Sequence, residues 1–85
     1  MRTLDVRGVA PKDRFDLIMG TYESLARGDA LDLTVDHDPE CMYFTLLGTR
    51  GAAAFAFEYL ERGPVTWRVL VTKREEVAAA APTWG

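Results

Sequence analysis

The sequence predicts an α+β domain, a two-layer sandwich of element order β-α-β-α-β-β. Three observations carry that prediction. Short runs of apolar/polar alternation recur four times, as half-buried strands require. Two segments between them place apolar residues at helical spacing. The last two alternating runs are separated only by Arg62-Gly63-Pro64, the signal of a β-hairpin. A four-stranded mixed sheet of this kind has one apolar face to cover, and both helices on one side cover it.

The elements follow in order. In Thr3 to Arg7, Leu4 and Val6 alternate with Asp5 and Arg7, a first short strand. Gly8-Val9-Ala10-Pro11 breaks it, and Pro11 suits the first turn of a helix. From Pro11 to Ala26, Phe15, Ile18, Met19, Tyr22 and Leu25 form one apolar face, with Gly28 as a left-handed cap. Ala30 to Asp36 is a second strand with Leu31, Leu33 and Val35 on one face. Asp38 caps a second helix whose first residue is Pro39, with Met42, Tyr43, Leu46 and Leu47 on its apolar side and Gly48 and Gly51 bracketing its end. Phe55, Phe57 and Tyr59 form one face of a hairpin with Val65, Trp67, Val69 and Val71. The predicted register sets Tyr59 opposite Trp67 and Phe57 opposite Val69, because a one-residue slip would scatter the apolar set. Residues 1–76 form one domain, and 77–85 form an alanine-rich tail without a clear period.

Composition narrows the function. Eighty-five residues make one core, with sites confined to surface grooves or interfaces. The net charge of −3 and the scattered Lys and Arg argue against nucleic acid as a partner. A single cysteine excludes an internal disulfide and fits a reducing compartment. The N-terminus lacks an apolar h-region, so no signal peptide is expected. The run Ala52 to Phe57 is too short to cross a bilayer. A cytoplasmic location without membrane attachment is the expectation.

Three stretches carry a family likeness: Leu4-Asp5-Val6-Arg7-Gly8-Val9 with Pro11, then Asp36-His37-Asp38-Pro39, then Phe55 through Val69 with Glu58-Tyr59-Leu60-Glu61, Gly63-Pro64 and Trp67-Arg68. Together they resemble the bacterial domain-of-unknown-function family numbered 2249 over about residues 3–72. That family is similar in fold to the TusA-like (SirA-like) sulfur carriers. The resemblance implies a TusA-like sandwich and a redox or metal-linked setting. One departure matters. The carriers place a nucleophilic cysteine before the proline that opens helix one, and here that position is Ala10. The usual persulfide cannot form there.

The run Asp36-His37-Asp38-Pro39-Glu40-Cys41 holds the only histidine and the only cysteine. It lies where a strand pattern ends and a helix pattern begins. His37 reads either as a metal ligand or general base, or as a turn residue bonded to Asp36, Asp38 or a backbone carbonyl. Two aspartates beside one histidine fall short of a zinc ligand set, so a metal ion at His37 would need ligands from a partner. Cys41, in the first turn of the second helix, reads either as a reactive thiol paired with His37 or as an inert one. Asp38 and Glu40 oppose a thiolate there. Arg7, Gly8 and Pro11 form the companion turn, whose free N–H groups can hold an anion with Lys12 or Arg14 nearby. Glu58 and Arg68 read as a cross-strand ion pair on the open sheet face. Ala56, Leu60 and Leu70 give that face an apolar element on which a homodimer can form.

The function expected is a non-enzymatic module that binds a ligand or protein partner in a redox or metal-linked pathway. Its groove lies between His37-Asp38-Pro39 and the Gly8-Val9-Ala10-Pro11 turn. The alternative is a divergent sulfur relay using Cys41.

Overall fold

A computed structural model describes residues 1–74. The predicted tail 77–85 lies outside the described residues. Strand β1 spans Arg2–Asp5, helix α1 Pro11–Glu23, β2 Ala30–Val35, α2 Glu40–Arg50, β3 Phe55–Arg62 and β4 Trp67–Lys73. A single 3-10 turn, Ala52–Ala54, joins α2 to β3. The sheet order is β1-β2-β4-β3. β1 and β2 run parallel, whereas β4 is antiparallel to both β2 and β3. This is the mixed four-stranded α+β sandwich expected from the alternation pattern.

Strand parity decides which residues are buried. Leu31, Leu33 and Val35 on β2 and Val69 and Val71 on β4 share one face. Ile18 and Tyr22 of α1 and Met42 and Leu46 of α2 cover that face, so both helices lie on one side. The other face shows Asp32, Thr34, Arg68 and Leu70, and no helix among the described residues covers it. Parity also drives one polar residue inward. Lys73 ends β4 on the apolar face and is only 3% exposed. Its Nζ donates to the carbonyls of Glu23 (3.1 Å) and Leu25 (3.0 Å) at the end of α1. An ammonium there satisfies orphan carbonyls and opposes the negative helix end. A second link between helix ends is the ion pair of Glu23 with Arg50.

Four local expectations are corrected. Asp38 is not a helix cap: α2 starts at Glu40 with Pro39 at its N-cap and no side-chain cap bond. The Asp38 carboxylate accepts from the Tyr59 hydroxyl instead, at 2.5 Å. α1 ends at Glu23 with Ser24 as its C-cap, before Gly28, whose N–H donates to the Lys73 carbonyl. The hairpin is shifted by two residues, setting Tyr59 opposite Val69 and Phe57 opposite Val71. A bulge between Tyr59 and Glu61 then moves the pairing one residue further, so that Arg62 faces Trp67. The shift preserves parity, so the apolar face survives it. Finally, Arg68 does not pair with Glu58. Glu58 faces Leu70, and Arg68 donates to Asp32 at 2.8 Å.

Candidate functional site

Because β1 and β2 are parallel, the loops that leave them lie at the same end of the sheet. Each loop feeds a helix on the same side. The carboxyl ends of both strands and the starts of both helices therefore meet at one edge of the sandwich. Arg14, one turn into α1, ties the two loops together. Its side chain is only 12% exposed. Nε donates to the Val9 carbonyl (2.8 Å) and Nη2 to the Arg7 carbonyl (3.2 Å). Nη1 and Nη2 also clamp the Asp36 carboxylate at 2.9 and 3.2 Å. The guanidinium holds Asp36 down at about 2, with the His37 contact as the next cause.

His37 Nδ1 lies 3.0 Å from Asp36 Oδ1. An ionised carboxylate only accepts, so Nδ1 is the donor in this pair, and the ring is largely exposed. Arg7 turns away. It grips Asp5 at 2.6 to 3.2 Å, and its guanidinium lowers Asp5 to about 2. Arg7 and Gly8 therefore form the wall of the loop and do not line the cleft.

The cleft itself is a cavity of about 280 Å³. Pro11, Arg14, Phe15 and Ile18 of α1 form one wall at helical spacing. Leu33 and Val35 form its floor, and His37, Pro39, Cys41 and Met42 the opposite wall. Of the residues singled out from sequence, His37, Pro11 and Cys41 meet here. Asp36 reaches the cleft only through its two partners, and Asp38 points to the other side of the α2 start. Arg14 is the residue that sequence reasoning undervalued. Its one signal was a cation in the first turn of a helix, where the dipole disfavours it unless a carboxylate compensates. Among the described residues no three His, Cys, Asp or Glu side chains gather to hold a metal ion. The thiol of Cys41 is free and exposed.

Asp38 belongs to a second hollow of about 460 Å³, lined also by Glu40, Tyr43, Phe44, Phe57, Tyr59 and Arg62. Burial, and then the bond to Asp38, push the Tyr59 hydroxyl up to about 12 from the usual 10.0. The neutral phenol is the form the fold favours. Its contribution to stability is complete below pH about 10 and is lost as the pH rises towards about 12.

Residues 3–73 match a family described as an uncharacterized conserved protein (DUF2249). The chain belongs to that family. The DUF2249 match runs from the second residue of β1 to the last of β4, so it takes in both loops, Arg14 and the hairpin. No curated protein and no solved structure matches the chain. No helix among the described residues is long and apolar enough to cross a membrane.

Proposed function

We propose that this DUF2249 domain is a non-enzymatic binding module whose ligand enters the cleft between α1 and α2. The ligand has an apolar body and an oxygen-acceptor head such as a carboxylate. One observation carries the reading. Arg14 is nearly buried, lines a mostly apolar cavity that also holds His37 and Cys41, and has five N–H groups. Four are bonded within the protein, leaving one on Nη1 without an acceptor among the described residues. Phe15, 51% exposed at the cleft wall, gains cover when an apolar body lies beside it. Sites of this kind combine apolar walls with one or two fixed polar groups.

The order β-α-β-α-β-β with both helices on one face supports a TusA-like relationship. A redox-linked setting rests on that likeness and on the exposed Cys41. A nuclear magnetic resonance titration with hexanoate tests the binding reading. We expect saturable shifts at residues of the cleft, weaker for hexanol, and weakened several-fold in Phe15→Ala. Absence of saturable shifts with hexanoate, or equal binding of hexanol, overturns it.

A second reading is favoured by one juxtaposition: Cys41 and His37 line the same cavity. In that reading Cys41 accepts a sulfane sulfur. Its thiolate attacks the outer sulfur of a donor persulfide, the donor leaves as a thiolate, and Cys41 carries the new persulfide. Incubation with a cysteine desulfurase and cysteine then adds the mass of one sulfur atom, lost again with dithiothreitol and absent in Cys41→Ser. An unchanged mass removes this reading.

A further inference from the structure

The second hollow is walled by aromatic rings in edge-to-face succession. Tyr43 meets Phe57 at 5.3 Å and 66°, and Phe57 meets Tyr59 at 5.6 Å and 71°. Phe44, 60% exposed, closes the outer side against Tyr43 at 5.3 Å. Successive rings set nearly at right angles make a concave lining rather than a flat stack. A ring face is negative and attracts a cation. The structure shows this directly: the Arg62 guanidinium lies 4.0 Å from the Tyr59 ring centre.

The charges are arranged to match. Asp38 and Glu40 line the hollow. Both act on the Tyr59 hydroxyl as negative charges, and Arg62 acts on it as a positive one. The Arg62 side chain is exposed and makes no ion pair or hydrogen bond among the described residues, and the Tyr59 ring is its recorded contact. We propose that this hollow is a binding site for an organic cation, a methylated ammonium, with Arg62 as the internal cation it displaces. Two carboxylates disfavour an anion. The hollow is separate from the cleft between α1 and α2, so this inference stands or falls independently of the ligand proposed there.

The same head group occurs on small solutes and on methylated lysine side chains. The test is therefore a resonance titration of the whole chain with choline and with a short glycine-flanked peptide bearing trimethyllysine. Its neutral control is 3,3-dimethylbutanol, which replaces the charged nitrogen of choline by carbon. We expect saturable shifts at residues 38–44 and 57–62, absent with the neutral control. Arg62→Ala frees the ring and tightens binding about fivefold, and Glu40→Gln or Phe44→Ala weakens it by a similar factor. All three positions are exposed, so these variants keep the fold. Tighter binding of choline assigns the site to a solute, and tighter binding of the peptide assigns it to a protein side chain. Equal response to the neutral control, or no saturable shift in Arg62→Ala, overturns the proposal.

Discussion

Replacing Leu33 by alanine lowers the stability of the domain by about 3 kcal/mol. Leu33 is fully buried at the middle of β2, between Leu4 on β1 and Val69 on β4. Both neighbouring strands fix its backbone, so the site cannot collapse to fill the missing volume. It also floors the cleft, which the substitution deepens. The cost therefore combines lost transfer energy with an enlarged void. Urea unfolding followed by circular dichroism reads it as a lower midpoint at unchanged slope. For a domain of this size the melting point falls by roughly 12–24 °C. A loss below about 1 kcal/mol would show that the cleft closes over the gap and is not rigid.

Gly63→Ala costs about 2–3 kcal/mol, from two sources that add. Gly63 has φ +55°, in the left-handed region that side chains disfavour. A Cβ built there would lie 2.6 to 2.7 Å from three atoms of the Trp67 indole. The indole is the less movable partner, because it is also set edge-to-face against Tyr59. The Gly63 N–H donates to the Thr66 carbonyl at 2.8 Å, so backbone movement breaks the turn. The two sources separate in a double-mutant cycle with Trp67→Leu. Removing the indole relieves the clash and leaves the backbone strain. Additive losses would show that the indole already moves aside in Gly63→Ala.

The fold was legible because strand parity and helix spacing are local, periodic signals. Leu31, Leu33 and Val35 announce a buried face without knowledge of any partner. The hairpin register was less legible for a definite reason. A slip of two residues preserves parity, so the apolar pattern cannot exclude it. The bulge after Tyr59 and the contact of Gly63 with Trp67 settle it, and neither is periodic. Asp38 shows the same limit from another side. Its residue type and its place before Pro39 favour a cap, yet a hydroxyl 21 residues away wins its carboxylate. The meeting of Pro11, His37 and Pro39 at one cavity was legible, since parallel strands put both loops at one end. Its central residue was not evident, because Arg14 and Asp36 are 22 residues apart and only the fold joins them.

The strand order has a consequence for how the chain is made. β4 lies between β2 and β3, and its Arg68 meets Asp32, 36 residues earlier. A nascent chain that has released β1, α1 and β2 holds only a two-stranded parallel pair. One flank of Leu31, Leu33 and Val35 then has no neighbour. Isolated pairs of this kind are marginal in water. Non-local pairing of this kind is slow, because loop closure precedes any reward. The apolar face of β2 is therefore flanked on both sides only once β4 has paired with it. The last strand of the sheet is thus the one that completes it: β4 pairs on both sides, and its Lys73 places its ammonium at the end of α1.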